Sequence, residues 1–310
     1  MERVIRAIAA GLLFVAILLS AVIYWLFYSN TAPKTAAFDL DLNNLRRAAN
    51  TYPGPGPRRI EIERLSHTPV PEIAIVAGAG WAKIDMVRAS YRLVFPDRSI
   101  LIDTANSLEL AKKFGSQRYD AAAWARMVSA MEKASAIVVT HEHADHIGGL
   151  LENADHDAVL AHAVLTKEQV GDTKGVWPLQ WPAAAMRHVQ PVDYAKLFPL
   201  APGVVLVKAP GHTPGSQMVY VRRADGREFL FMGDTASFLA NVTRQKIRSH
   251  YVTDYYGQGT HDDRGAVMAQ TIALHDLAVR NPELVLVPGH DGQRMLDLIK
   301  SGLLTQGFRD

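Results

Sequence analysis

Residues 7–28 carry no charge, and the rest of the chain alternates short apolar runs with polar ones. Ala7 to Tyr28 are 22 uncharged residues behind Arg3 and Arg6, closed by the aromatic run Tyr24-Trp-Leu-Phe-Tyr28. A helix of that length rises about 33 Å, enough to cross a bilayer core. A cleaved signal peptide is the competing reading, but its apolar region usually runs only about 7–15 residues. The small-residue stretch Thr35-Ala36-Ala37 also lies well past the apolar run. Length therefore favours a retained single-pass anchor. Basic residues before the span and aromatic residues after it place the N-terminus in the cytoplasm and the rest outside, in the periplasm if the cell is Gram-negative. A buried core helix is a poorer reading, because the segment is apolar on every face.

Beyond the span, Phe38 to Arg47 has the spacing of a short amphipathic helix near the membrane surface. Pro53-Gly-Pro-Gly-Pro57 can continue neither a helix nor a sheet ladder, so it marks a boundary. The expected division is residues 1–6 as the cytoplasmic end, 7–28 as the anchor, 29–57 as a linker and 58–310 as the catalytic body. Within the body, strand-like runs are Glu72 to Val76, Val87 to Phe95, Ser99 to Ile102, Ala136 to Thr140, Val204 to Lys208, Gln217 to Arg222, Glu228 to Met232 and Leu284 to Val287. Ala224-Asp-Gly226 reads as a hairpin turn, since Asp-Gly supplies positive φ. Helical periodicity covers Ala121 to Lys133, Asp145 to Glu152, Leu165 to Val170, Arg264 to Arg280 and Met295 to Leu303. Strands and helices interspersed in this way predict an α/β class.

Charge and cysteine content narrow the chemistry. Lys and Arg number 33 against 31 Asp and Glu, a net charge of +2 with no basic block, so nucleic acid is not an expected partner. There is no cysteine, so any metal must sit on nitrogen and oxygen.

Donors of that kind recur in order: His141, His143, Asp145 and His146 in Thr140-His-Glu-His-Ala-Asp-His-Ile-Gly-Gly149, His212 in Pro210-Gly-His-Thr, Asp234 in Met232-Gly-Asp, and His290 in Pro288-Gly-His-Asp. Each motif follows a strand-like run, where rigid scaffolds commonly carry functional groups. Donors packed this closely in His-x-His-x-Asp-His cannot all bind one tetrahedral ion, but they can divide between two, His141 and His143 for one, Asp145 and His146 for the other. Neutral imidazole and carboxylate suit Zn²⁺, and Fe²⁺, Mn²⁺ or Co²⁺ also accept them. A pair of such cations turns water into hydroxide near neutral pH, which is hydrolytic chemistry. Gly148-Gly149 permits close approach of neighbouring backbone.

This ordered set resembles the metallo-β-lactamase superfamily over about Arg58 to Asp310. The resemblance implies an αββα sandwich, here preceded by a transmembrane helix, with two divalent metal ions at one edge, zinc first among the choices. It implies His141, His143 and His212 around one metal, Asp145, His146 and His290 around the other, and Asp234 bridging both. It also makes Asp103, in Leu101-Ile-Asp-Thr104, a match for an acid that orients a ligand imidazole, where a plain turn acid is the alternative.

The superfamily hosts many reactions, so substrate rests on details. A bridging Asp argues against a true β-lactamase, and the 20 residues after His290 leave no room for the helical domain of glyoxalase II types. What remains resembles the lactonase-type hydrolases. The expected activity is hydrolysis of a lactone or ester carbonyl by a metal-bridging hydroxide, with Asp145 or Asp234 returning a proton to the alkoxide. The substrate would be a small molecule, apolar or acylated if the anchor places it near a membrane. A phosphodiesterase, a thioester hydrolase and an inactive membrane-tethered scaffold are the alternatives. Lactonases of this type have a Tyr soon after the bridging Asp, whereas this chain reads Thr235-Ala-Ser-Phe; Tyr251, Tyr255 or Tyr256 would have to supply a phenol. Gly171 to Leu200, with Trp177 and Trp181, is either a lid over the site or a satellite of the core. Of the other histidines, His250 and His261 lie between Asp234 and His290 and are the two to watch.

Overall fold

The computed structural model describes residues 1–183, 185–256 and 262–309. Its strands are β1 Arg59–Pro71, β2 Lys83–Val94, β3 Ser99–Ile102, β4 Arg118–Tyr119, β5 Ala136–Val138, β6 Ala163–Val164, β7 Leu197–Ala201, β8 Val204–Lys208, β9 Gln217–Arg222, β10 Glu228–Phe231, β11 Val285–Val287 and β12 Thr305–Gln306. One sheet has the order β12-β1-β2-β3-β5-β6, with β4 paired to β1 off that path; the other has the order β11-β10-β9-β8-β7.

The two-residue period of a strand explains how these sheets stack. In β3, Ile100 and Ile102 join the layer between the sheets while Leu101 joins the layer outside. Val138 points inward and Ile137 and Val139 outward; from the second sheet Val204 and Leu206 meet them, while Val205 and Val207 turn away. Both faces are covered, so these strands are apolar at nearly every position. Helices Ala121–Lys133 and Ala144–Leu151 cover the first sheet through Met127, Ile147 and Leu150. Helices Leu42–Ala49 and Arg264–Arg280 cover the second through Leu45, Leu274 and Leu277. The layers run helix, sheet, sheet, helix, the αββα sandwich that the resemblance implies. The Asp-Gly hairpin forms as expected, with Arg222 opposite Glu228 and Gly226 at φ +83°.

Two elements differ from the sequence reading. The longest strand, β1, is hidden in the sequence: in Ile60-Glu61-Ile62-Glu63 the glutamates have the look of a solvent-facing side, yet both are fully buried. Their charge is met by guanidinium groups: Arg59 and Arg92 each donate to Glu61 at 2.7 Å, and Arg126 donates to Glu63 at 2.6 and 2.9 Å. Buried carboxylates without such partners would cost several kcal/mol, roughly 3–5 for a broken pair. Glu72 to Val76, read as a strand, instead makes a helical turn at Glu72–Ile75. Pro71 ends β1 at φ −61°, and the amides of Glu72 and Ile73 donate to the carbonyls of Ala82 and Gly80, so no ladder continues.

Ahead of the body stands helix Glu2–Ile23, none of whose residues is buried, followed by a wider helical turn at Tyr24–Tyr28. Its most apolar stretch has a mean hydropathy of 2.6. The chain after it is tied to the body. Phe27 O accepts from the Gly78 amide at 2.9 Å, Asn30 exchanges bonds with Gln245 O and the Ile247 amide at 3.0 Å each, and Thr31 O accepts from Arg264. The amphipathic helix lies on the second sheet, capped by Asp41 Oδ1 accepting from the Asn44 amide and held by Arg46 donating to Glu228 at 2.8 and 2.5 Å.

Candidate metal centre

Four strand ends deliver the seven predicted donors to one edge of the sandwich. His141 and His143 lie in the turn after β5, and Asp145 and His146 in the first turns of the Ala144–Leu151 helix. His212 follows β8, Asp234 sits in the tight turn Gly233–Thr235 after β10, and His290 follows β11. Glycine permits the approach at two places. A Cβ on Gly149 would stand 2.5 Å from Thr104 O and one on Gly148 2.6 Å from Ala105 O, so this glycine pair lets the helix meet the turn after Asp103. A Cβ on Gly289 would lie 2.4 Å from Asp234 Oδ1.

The donor atoms gather in two groups that share a carboxylate. His143 Nδ1 is 3.1 Å from His141 Nε2 and 2.9 Å from His212 Nε2. His290 Nε2 is 3.1 Å from His146 Nε2 and 3.6 Å from Asp145 Oδ2. Between them, Asp234 turns Oδ1 to His290 and His146 at 3.1 and 3.8 Å and Oδ2 to His212 at 3.7 Å.

Outer contacts fix how the rings are turned. His146 Nδ1 donates to Asp103 Oδ2 at 2.9 Å, and Asp103 also accepts from the Thr140 amide at 2.6 Å and the Thr140 hydroxyl at 2.9 Å. Asp103 therefore orients an imidazole rather than serving as a plain turn acid. It does so from φ +58°, a conformation that costs most L-residues free energy and that Asp and Asn tolerate best. His212 Nδ1 donates to Asp262 Oδ1 at 2.9 Å and His290 Nδ1 to Val87 O at 3.0 Å. Each of these three rings turns its Nε2 toward the centre, the arrangement that outer hydrogen bonds give ligand histidines.

The donors fit divalent cations. Metal–nitrogen bonds of ~2.0–2.1 Å put tetrahedral ligand atoms roughly 3.3 Å apart, close to the spacings seen. Burial first, then the neighbouring imidazoles, hold His141 well below the ordinary histidine range and His143 down to about 3, so both keep their lone pairs. Burial works against charge on Asp234, but His290 and Arg248 outweigh it and keep the carboxylate ionised. Asp234 Oδ1 is buried and accepts no well-formed hydrogen bond, although His290 Nε2 is near. A buried carboxylate oxygen without a well-formed donor is suited to a cation. His146 is the contrast: burial is overcome by Asp103 and its imidazole is pushed up to about 9, so a cation must displace a proton there.

Sequence reasoning missed three residues that hold the donors, Arg248 and Arg88 on carboxylates and Asp262 on His212. Arg248, buried, donates through Nη2 to Asp234 Oδ2 and Ser237 Oγ at 2.7 Å each, and through Nη1 to Asp262 Oδ2 at 3.1 Å. Arg88 Nε donates to Asp145 Oδ2 at 3.2 Å. None of Arg248, Asp262 or Arg88 sits in a recognisable motif. The watched His250 lies two positions from Arg248 but faces elsewhere: it stacks on Trp25 at 4.5 Å and donates to Asp254 at 2.8 Å. His261 lies outside the described residues.

A cavity of about 710 Å³ is lined in part by His143, Asp145, His212, Asp234 and His290. The rest of its lining is largely apolar and includes Phe27 and Trp81. Among the described residues, none from 171–200 lines it, and Trp181 packs on the core beneath the first sheet. Of the tyrosines considered, Tyr251 lines the cavity and Tyr255 is exposed against Trp25.

A family model described as the metallo-beta-lactamase superfamily matches residues 86–290. No curated protein sequence matches the chain. Solved structures do match its fold. An N-acyl homoserine lactone hydrolase with the product N-hexanoyl-L-homoserine bound is 13% identical, covering 78% of this chain and 96% of its own, with a TM-score of 0.58. A quorum-quenching N-acyl homoserine lactone lactonase is 14% identical, covering 77% and 94%, with a TM-score of 0.57. A probable metal-dependent hydrolase from Staphylococcus aureus is 13% identical, covering 77% and 91%, with a TM-score of 0.58.

Proposed function

The chain belongs to the metallo-beta-lactamase superfamily, and from that premise we propose that it is a dinuclear hydrolase of lactone or ester carbonyls. The observation that carries this reading is two three-donor groups, His141, His143 and His212 and Asp145, His146 and His290, joined by a third in which Asp234 stands with one histidine of each, His141 and His146. His141, His143 and His212 would hold one cation, Asp145, His146 and His290 a second, and Asp234 would serve both. When bound, such cations supply Lewis acidity and make water a nucleophile near neutral pH.

The chain's own residues do the rest. The cavity seats the substrate with its carbonyl at the donor residues and excludes bulk water along the apolar lining. Asp145, facing the cavity, is placed to take the proton lost by the attacking water and return it to the alkoxide when the carbonyl carbon–oxygen bond breaks. Arg248 keeps Asp234 ionised and in place. Lactones come first among carbonyl substrates because the solved relatives described as N-acyl homoserine lactone hydrolases share this fold. Zinc is the metal such a nitrogen and oxygen set favours, with iron or manganese as substitutes.

A phosphodiesterase would want unpaired cationic groups at the cavity. Two guanidinium groups do line it, but Arg88 is paired with Asp145 and Arg248 with Asp234 and Asp262, which favours a neutral carbonyl over an anionic phosphorus centre. We read helix Glu2–Ile23 as a retained membrane anchor with the body outside the cytoplasm. Its length and apolarity support this, as does the docking of residues 27–31, which cleavage near Ala37 would remove. Extraction by high salt without detergent would sink the anchor.

The test is proton release by the zinc-loaded full chain in detergent against lactones, simple esters, a thioester and a phosphodiester, with Asp234→Asn as control. Lactone or ester turnover abolished in the variant is expected. Turnover of the phosphodiester alone, or of nothing, would discard the carbonyl reading.

A further inference from the structure

We propose that the cavity takes a neutral acyl amphiphile out of the bilayer, a lactone or ester bearing a long alkyl chain, which enters between Phe27 at the foot of the apolar helix and Trp81 and Tyr251 of the body. The proposal rests on the hydrolase and anchor readings above and names their substrate class.

The wall of the cavity is mixed. Five of the donor residues share the lining with the apolar Val70, Met86 and Phe114 and with three aromatic residues, Phe27, Trp81 and Tyr251. Phe27 belongs to the helical turn that closes the apolar segment, so the same element that would sit in lipid also forms part of the substrate wall. Its position is fixed: its ring lies 5.1 Å from Trp81 and 5.1 Å from Tyr251, and its carbonyl accepts from the Gly78 amide.

A second observation comes from exposure. Trp81, which lines the cavity, is 56% exposed, and Trp25, on the same helical turn as Phe27, is 40% exposed and meets the 68% exposed Tyr255 edge-on at 6.3 Å. Amphipathic indole and phenol rings are the groups that settle at the boundary of lipid and water. Exposed aromatic patches of this kind mark a contact surface. The helix leaving from the same place makes lipid the occupant.

Charge selects the headgroup. The guanidinium groups at the cavity are committed to carboxylates, so nothing recommends an anionic head, whereas an alkyl chain needs only the apolar wall. Removing a phenyl or indole contact from such a chain should weaken its binding about tenfold.

The experiment uses the full chain in phosphatidylcholine vesicles, with γ-butyrolactone and γ-dodecalactone as short and long probes. Phe27→Ala and Trp81→Ala should each raise KM for γ-dodecalactone about tenfold, a loss several-fold larger than either causes on γ-butyrolactone. Trp81 is exposed, so its variant keeps the fold even where the Phe27 variant does not. An unchanged KM for the long lactone, or equal losses on both probes, would overturn the proposal. A second arm needs no turnover: a fatty acyl methyl ester with a diazirine at its chain end is photolysed in the vesicles and labelled residues are read by mass spectrometry. Label at Met86 and Phe114 supports the proposal even if neither lactone is hydrolysed, a result that would sink the lactone reading alone. Label confined to helix Glu2–Ile23 would overturn the proposal and leave the hydrolase reading intact.

Discussion

Arg248 Nη2 lies 2.7 Å from Asp234 Oδ2, so the carboxylate shared by the two donor groups has one oxygen held by a buried guanidinium and the other turned to His290. The same guanidinium reaches Asp262, which orients His212. One side chain thus ties the shared carboxylate to a ring of the first group.

Replacing Arg248 by Met would leave two buried carboxylates without their partner, a change that costs about 3–5 kcal/mol in a buried pair. The expected result is a lower melting temperature and zinc affinity reduced roughly 10–100-fold, measured by competition with a chromophoric chelator. Arg248→Lys should recover little, because a single ammonium cannot make the forked contacts. Full recovery by lysine would show that only charge matters at this position.

Asp103→Asn tests the outer support of His146. Asn tolerates the positive φ at this position, so the turn should survive while the charge on the His146 contact is lost. Elemental analysis after mild dialysis should find the His146 group depleted first, with affinity down about 10–100-fold. Equal retention of both metals would remove Asp103 from the set of positioning residues.

Metal removal should destabilise the body as a whole. At a thousandfold excess over Kd a bound ligand adds about 4 kcal/mol, and each kcal/mol moves the melting temperature of a domain this size by roughly 2–4 °C. Chelation should therefore lower it by about ten degrees, and stoichiometric zinc should restore it. A melting curve indifferent to chelator would argue against any tightly held ion.

The Arg46–Glu228 contact gives a pH prediction away from the metals. Burial opposes charge on Glu228, but hydrogen bonds from Arg46 and Tyr220 outweigh it and hold the carboxyl below its usual range. A depressed folded-state value means the pair stabilises the protein above the ordinary glutamate range, ~4.3, and loses that contribution as pH falls through the lower folded value. Arg46→Ala should cost about 1–2 kcal/mol at neutral pH, discounted for the partial exposure of Arg46, and the gap to the parent should close on acidification. A gap constant with pH would assign the loss to packing of the arginine stem instead.

The sequence displays the donor set because each donor lies in a short motif at the end of an apolar strand, and strands buried on both faces are the easiest elements to read. Asp103 is visible for the same reason, at the end of β3. Arg248 and Asp262 are not: their roles arise from loops that meet only in the folded chain, and an arginine beside a histidine in a polar stretch has no periodicity to betray it. β1 is hidden by physics of another kind, since Glu61 and Glu63 look like surface residues until Arg92 and Arg126 arrive from elsewhere. Glu72 to Val76 misleads in the opposite direction, its alternation real but its amides taken by Gly80 and Ala82.

The bonds from Phe27, Asn30 and Thr31 tie the chain at the foot of the apolar helix to the body. A protein on a slack tether samples every heading, and its cavity mouth meets molecules arriving from three dimensions. A protein clamped at the foot of its helix keeps one heading, so all copies laid in one sheet would hold their mouths at a common height. Encounter would then become a search over an area rather than a volume, with local surface density, not bulk concentration, setting the rate.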